Sequence, residues 1–410
     1  MSDPYVSGTA SPVHSDHVDN DPADNDPYAA QAQAVIDLSA IRSNVARLAD
    51  MTPAAVMAVV KANGYGHGAV PVARAALAGG ASWLGVCTLD EALELRRAGI
   101  AAPLLAWLHA PGQHWEPALL AGVDVSVSGV ALLAEVVAAA RRARVAARVH
   151  LKADTGLSRS GASIRQWPDL VTAAAKAAAE GVIEVVGVWS HLACADEPGH
   201  PSVAAQLQVF DQALEAAADL GVRPQLRHIA NSAAMLTALQ AHYDLVRPGI
   251  SVYGYSPIPH TGAEHGLRPA MTLRGRVMLV KDAPAGSGVS YGHRYVTERD
   301  TTLALVPLGY ADGVPRHASN TGPLQLGGVR RRIAGNVSMD QIIVDLDPDL
   351  AGTRISSAGD IRPGDYATLF GPGDNGEPTA DDWAEVVGTI SYELLVRVGS
   401  RVRRIYLNEA

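Results

Sequence analysis

The sequence predicts an α/β protein: an N-terminal (β/α)8 barrel of the TIM type, followed by a second, mostly β domain. Three observations carry this reading. From about residue 34, short β-branched apolar runs alternate with longer Ala/Leu-rich stretches at helical spacing. The alternation yields eight strand–helix units, and such units pair in parallel and close into a barrel. After about residue 268 the helical period fades, and Gly/Pro turns separate short β-like runs. An open doubly wound sheet competes with the barrel, but no G-x-G-x-x-G follows the first strand.

Taken in order, residues 1–31 hold six aspartates and neither Lys nor Arg, and read as a disordered, solvated acidic tail. The basic start and apolar middle of a signal peptide are missing from it. The run Ala34–Leu38 leads into a helix capped by Ser39. It has no place among the eight barrel strands, which leaves a place in the second domain open to it. The barrel strands are expected at Val56–Val60, Trp83–Cys87, Pro103–Trp107, Asp124–Val127, Val145–Lys152, Ile183–Val188, Gln225–His228 and Asp244–Arg247. Thr88, Ser128 and Asn231 stand where N-caps belong. This sets a barrel domain at 32–268 and a β domain at 269–410. Runs such as Met271–Val280, Thr302–Leu308, Ile342–Leu346 and Tyr366–Phe370 supply the strands of the second domain.

Composition excludes several functions. The chain of 410 residues carries a net charge of −9, so no basic stripe is available for nucleic acid. No apolar run is long enough to cross a bilayer. Cys87 and Cys194 are too few for a disulfide framework or a cysteine-based zinc site, and a reducing compartment is the simplest reading. Lysine is scarce, with only Lys61, Lys152, Lys176 and Lys281, so amine chemistry has four candidates.

Barrel active sites lie at the C-terminal ends of the strands. Lys61 ends the first strand, in a stretch containing Gly64, Gly66 and Gly68 that permits close backbone approach to a ligand. Lys152 and Asp154 end the fifth, with Arg159 just beyond. His191 follows the sixth, Asn231 and Ser232 the seventh, and Arg247-Pro248-Gly249 ends the eighth. No metal-ligand spacing is present among them. A lysine at the rim of a low-dielectric barrel is a candidate nucleophile or base. The ends of strands seven and eight are the usual phosphate corner, where Ser232 and Gly249 would serve an anion. An amine plus a phosphate corner points to pyridoxal phosphate, with a sugar-phosphate aldolase as competitor.

At these residues the chain resembles a known family. Val60-Lys61-Ala62-Asn63-Gly64-Tyr65-Gly66-His67-Gly68 is similar to the cofactor-lysine motif of alanine racemases. The likeness continues through Lys152–Gly156, Ser190–Leu192, Asn231-Ser232, Arg247–Ile250, Ser290–Gly292, Gly309–Gly313, Ser338–Gln341 and Ser391–Glu393. The Arg- and Ala-rich style resembles actinobacterial members.

The resemblance implies a cytoplasmic, pyridoxal-phosphate-dependent enzyme that interconverts L- and D-alanine for peptidoglycan. It implies a head-to-tail homodimer with shared sites and a two-base mechanism, Lys61 on one face and Tyr291 on the other. By that likeness Lys61 binds the cofactor, and Tyr65, Ser232, Gly249, Ile250 and Tyr392 hold its phosphate, with Asn231 counted among the cofactor residues. Arg247 faces the pyridine nitrogen and His191 helps to position it. Arg159 serves the cofactor's phenolic oxygen and the substrate carboxylate. Met339 and Tyr291 enter from the partner subunit, with Tyr310 and Asp340 near the entrance or supporting the base, and Met339, Tyr310 and Asp340 are counted with Arg159 among the substrate-binding residues. Lys152 corresponds to a lysine that is carbamylated in many relatives. Ser338 departs from the cysteine often found there. The alternatives are a racemase of another small amino acid such as serine, or a non-catalytic pyridoxal-phosphate carrier. The β domain with Tyr291 and Met339 argues against the carrier.

Overall fold

Short runs of Val, Leu, Ile and Ala build the strands of the first sheet. The computed structural model of the chain describes residues 30–258, 260–346 and 361–409. The expected acidic tail lies outside these except for its last two positions. Strand β1 spans Ala32–Asp37. Then come β2 (Ala55–Val59), β3 (Trp83–Val86), β4 (Leu104–Ala106), β5 (Asp124–Val127), β6 (Ala147–Lys152), β7 (Ile183–Trp189), β8 (Leu226–His228) and β9 (Leu245–Val246). Strands β2 to β9 form one parallel sheet in the order β8-β7-β6-β5-β4-β3-β2-β9. The seam between β8 and β9 is bridged by backbone bonds, Asp244 N–H to Arg227 O at 3.1 Å and Arg247 N–H to Ala230 O at 3.0 Å. The Arg227 guanidinium also grips the Asp244 carboxylate with two bonds of 2.7 and 2.9 Å. All eight expected barrel strands are present.

The helix caps correct the sequence reading in two places. The helix Leu38–Asp50 is capped by Asp37, whose carboxylate accepts from the Ser39 and Ala40 N–H groups at 2.9 and 3.4 Å. Ser39 is already inside the helix. The helix Val130–Ala143 begins one residue later than Ser128 would require, with Gly129 at the cap and no side-chain bond. Thr88 and Asn231 do cap, accepting from Glu91 N–H at 3.3 Å and Ala234 N–H at 3.0 Å.

The second domain contains β10 (Met271–Arg276), β11 (Leu279–Ala283), β12 (Gly288–Val289), β13 (Tyr295–Val296), β14 (Thr301–Val306), β15 (Pro323–Leu326), β16 (Val329–Arg332), β17 (Ile342–Asp345), β18 (Tyr366–Phe370) and β19 (Arg403–Leu407). They make a six-stranded sheet β16-β15-β18-β10-β1-β19, a three-stranded sheet β11-β14-β17 and the hairpin β12-β13. The leftover run at the start of the chain is thus β1, antiparallel to β10 and parallel to β19. Two helices that the sequence reading passed over, Ala380–Val387 and Ser391–Val396, lie between β18 and β19. The first opens on a capping box of Thr379 and Asp382 and buries Trp383, which donates to Leu369 O at 2.6 Å.

These last elements dock on the barrel where Gly66 and Gly68 leave room. A Cβ at Gly66 would overlap the Leu395 carbonyl, and one at Gly68 would overlap the Tyr406 hydroxyl. Arg404 bolts the contact, donating to Gly66 O at 3.1 Å and to Val398 O at 2.7 Å. Two of the three glycines expected to admit a ligand, Gly66 and Gly68, therefore face the second domain, while Gly64 packs against Ala69 and Val72 of the barrel. Among the described residues, no helix is long and apolar enough to cross a membrane.

Candidate active site

Strand β2 runs into Val60, whose N–H is held by Gly85 O at 2.8 Å, and then into Lys61. The four residues after Lys61 are left-handed: Ala62, Asn63, Gly64 and Tyr65 have φ of 53°, 53°, 59° and 51°. Each non-glycine in that region costs about 1–2 kcal/mol, so the turn needs support. It gets it from Gly64 N–H to Val60 O, Gly66 N–H to Ala62 O and Gly68 N–H to Asn63 O, all 2.8–3.0 Å. The Asn63 side chain also accepts from Ala69 N–H at 3.0 Å. The turn carries Tyr65 inward, where its ring stacks on Tyr253 at 4.7 Å. The Lys61 amine stands 6.0 Å from the centre of the Trp107 ring.

Arg247, just beyond β9, is buried and held by four acceptors. It donates to Ser190 O at 2.8 Å, Ile229 O at 3.2 Å, His191 Nδ1 at 3.2 Å and His228 Nδ1 at 3.1 Å. A guanidinium only donates, so both imidazoles accept from it and carry their protons on Nε2. His228 Nε2–H then meets His150 Nδ1 at 2.9 Å, and His150 Nε2–H meets Asp124 Oδ2 at 3.1 Å. Arg148 completes the line with 2.8 Å to Asp124 Oδ1. A polar relay thus runs through the barrel interior, with His228 stacked on Trp189 at 5.6 Å. Burial, and next the Arg247 charge, hold the His191 and His228 pKa values well below the usual range. Both rings are neutral acceptors at physiological pH. Burial draws Arg247 down to about 9, which leaves it charged at neutral pH.

Lys152, at the end of β6, is buried with its amine 2.6 Å from Ser160 Oγ and 4.2 Å from the Trp189 ring centre. Burial first, then the charges of Arg247 and Arg159, draw its pKa down to about 7. Arg159 is exposed, and Asp154 turns its carboxylate to the Gly156 and Ser158 N–H groups at 3.0 and 3.1 Å.

The corner between β8 and β9 collects donors. Asn231 Oδ1 is engaged as the cap of helix Ser232–Thr237. Ser232 Oγ accepts from Gly249 N–H at 2.8 Å and keeps its own proton to donate. Ile250 opens a 3-10 turn over Ile250–Tyr253. Tyr392, on the docked helix Ser391–Val396, brings its ring within 6.2 Å of the Tyr65 ring. Burial raises both phenols, so both remain protonated donors, and neither hydroxyl has a hydrogen-bond partner among the described residues. A Cβ at Gly249 would overlap the Tyr65 hydroxyl, so glycine is what lets the phenol reach this corner. Unpartnered hydroxyls around a glycine cradle, one β-strand away from an amine, fit a phosphorylated aldehyde such as pyridoxal phosphate.

The remaining expected residues lie on the second domain. Tyr291 is 74% exposed and Met339 53% exposed. Neither is hydrogen-bonded to the barrel group. Tyr310 and Met339 share one loop pair, with Tyr310 N–H to Ser338 O at 3.1 Å and Ala311 N–H to Met339 O at 3.0 Å. Arg401 clamps that pair by binding the buried Asp312 at 2.9 and 3.0 Å and Asp340 at 2.8 Å. Sequence reasoning missed the Asp124–His150–His228 relay. Its signal was an ionisable residue inside an apolar strand, as in Val149-His150-Leu151. Among the described residues, no group of three or more His, Cys, Asp or Glu side chains could hold a metal ion.

Fold and site together define a (β/α)8-barrel protein with a lysine amine and a cluster of hydroxyl and N–H groups at the C-terminal rim. The family models of the alanine racemase N-terminal and C-terminal domains match residues 36–257 and 270–406. The chain is 60% identical to the alanine racemase of Salinispora arenicola over 380 residues, 92% of this chain and 99% of that one. It is 55% identical to that of Streptomyces coelicolor over 387 residues, 92% of this chain and 96% of that one. The crystal structure of alanine racemase from D-cycloserine-producing Streptomyces lavendulae superposes with a TM-score of 0.88 at 54% identity, covering 93% of this chain and 98% of that one. The chain belongs to the alanine racemase family, isomerases that interconvert the two enantiomers of alanine.

Proposed function

We propose that this chain racemises alanine with pyridoxal phosphate bound to Lys61, using Lys61 and Tyr291 as opposed acid–base groups, and so supplies D-alanine for peptidoglycan in the cytoplasm. The bound cofactor would supply an electron sink that acidifies the α C–H of alanine. Racemisation requires that proton to leave one face and a proton to return on the other, and two bases avoid moving one base across the substrate plane. Lys61 Nζ and Tyr291 Oη take those two positions. Tyr65, Ser232, Gly249, Ile250 and Tyr392 hold the phosphate. Arg247 would face the ring nitrogen of the bound cofactor, and because a guanidinium only donates, it would favour that nitrogen unprotonated. Arg159, exposed and unpaired among the described residues, receives the substrate carboxylate. Lys152, with its amine half neutral near pH 7, is open to carbamylation by carbon dioxide beside Arg159.

The exposure of Tyr291 and Met339 in a single chain supports a homodimer in which each second domain closes the partner's barrel. The observation that carries the proposal is the convergence of the Lys61 amine and the partnerless hydroxyls of Tyr65 and Tyr392 on one barrel rim. The test is chiral chromatography of L-alanine incubated with purified protein and pyridoxal phosphate, beside Lys61→Ala. D-alanine from the wild type alone is expected. A protein that binds the cofactor yet leaves L-alanine untouched would overturn the reading.

A further inference from the structure

The N–H of the first left-handed residue after Lys61, Ala62, is held by a distant side chain. Glu91 lies in the first turn of the helix Leu89–Arg97, three residues after its cap Thr88. Its Oε2 accepts from the N–H of Cys87 at 2.7 Å and of Thr88 at 3.2 Å, while Thr88 Oγ1 accepts from Glu91 N–H. That is a complete capping box, and it uses one carboxylate oxygen. The other oxygen, Oε1, accepts from Ala62 N–H at 2.7 Å, a charge-assisted length. Helix capping does not require this second bond. It joins the end of β3 to the peptide that follows Lys61. Ala62 has φ +53° without being glycine, and such backbone persists only where neighbours over-determine it.

We propose that Glu91 is a positioning residue for Lys61: its carboxylate fixes the Lys61–Ala62 peptide and so aims the amine into the barrel mouth. The inference rests on the reading of Lys61 as the cofactor-binding amine. Two substitutions separate this role from capping. Glutamine serves a capping box as well as glutamate, so Glu91→Gln keeps an oxygen for Cys87 and Thr88 but turns its NH2 towards Ala62 N–H. Thr88→Ala does the reverse, removing half the cap and leaving the Ala62 bond in place.

The test compares the full-length wild type with both variants. Deuterium exchange of residues 58–66 is followed in cofactor-free protein, melting is followed in the same samples, and kcat and KM for alanine are measured with pyridoxal phosphate bound. For Glu91→Gln we expect near-wild-type melting, exchange at residues 62–65 faster by roughly tenfold, and kcat lower by roughly ten- to hundredfold with little change in KM. For Thr88→Ala we expect lower melting with wild-type exchange at the turn and wild-type kcat. The proposal is overturned if Glu91→Gln matches the wild type in exchange and kcat. It is equally overturned if both variants lose kcat in step with melting. Should Glu91→Gln not fold, Glu91→Asp, one methylene too short to reach Ala62, carries the same comparison. A wild type that neither binds the cofactor nor racemises alanine would sink the reading of Lys61, while the exchange result would still decide whether Glu91 holds the turn.

Discussion

Replacing Gly66 by alanine tests how the second domain reaches the active site. Gly66 has φ +83°, which costs an alanine about 1–2 kcal/mol. The added methyl would also fall short of the 3.0 Å that real Cβ atoms keep from backbone, and the atom in its way is the Leu395 carbonyl oxygen. Backbone cannot swing aside as a flexible side chain can. The helix Ser391–Val396 must therefore retreat, stretching the bond from Arg404 to Gly66 O, and Tyr392 moves with it. Losing one hydrogen bond to a charged group costs about 1.5–3 kcal/mol, which is roughly a ten- to hundredfold loss of phosphate affinity. Gly99→Ala is the control, since Gly99 has φ +80° with nothing within 4 Å of an added Cβ. The assay titrates cofactor-free protein with pyridoxal phosphate and follows absorbance, with melting measured alongside. Gly66→Ala should bind the cofactor more weakly and melt below Gly99→Ala. Equal affinity and equal melting for the two variants would refute the argument.

Two further perturbations address the barrel interior. His228→Leu strips the acceptor from Arg247 Nη1 and the donor from His150 Nδ1, so denaturant stability should fall by about 2–5 kcal/mol. The double substitution with His150→Leu should be non-additive, and additivity within about 0.5 kcal/mol would show that the relay is not coupled. Lys152 titrates near 7 in the folded chain against 10.5 when free, so between those values the unfolded chain binds more protons and stability rises with pH. In cofactor-free protein and buffer free of carbon dioxide, Lys152→Met should flatten that rise, and an unchanged slope between pH 7 and 9 would count against the assignment.

The barrel was legible because most of its strands are short apolar runs and several end at a polar rim residue, as Val56–Val60 does at Lys61. Parallel pairing then follows from the alternation alone. Local chemistry was read less well where two candidates adjoin. Asp37 and Ser39 both suit a cap, and the carboxylate wins because the helix starts at Leu38. Gly66 and Gly68 signal close approach in sequence but not of what, and the answer, Leu395 and Tyr406, lies more than 300 positions away. The helix Ser391–Val396 is too short for its period to stand out among β runs. The His150–His228 contact joins β6 to β8 across the barrel interior, so no sequence window contains both partners.

The same interior explains why the rim is so positively charged. Arg247, Lys152 and Arg159 depress the protonation of one another's neighbours, and Lys61 contributes to the field at Lys152 and His191. Such crowding disfavours the folded chain unless an anion arrives, and a phosphate with a carboxylate-bearing substrate is an anionic load of the matching kind. The histidines add no charge to this set. His191 and His228 stay neutral because burial and Arg247 oppose their protonation, and as neutral acceptors they hold the guanidinium without neutralising it. A carboxylate in either place would pair with Arg247 and withdraw it from a ligand. An imidazole orients the same group and leaves its charge available, while Asp124, the nearest anion in the relay, is kept two rings away.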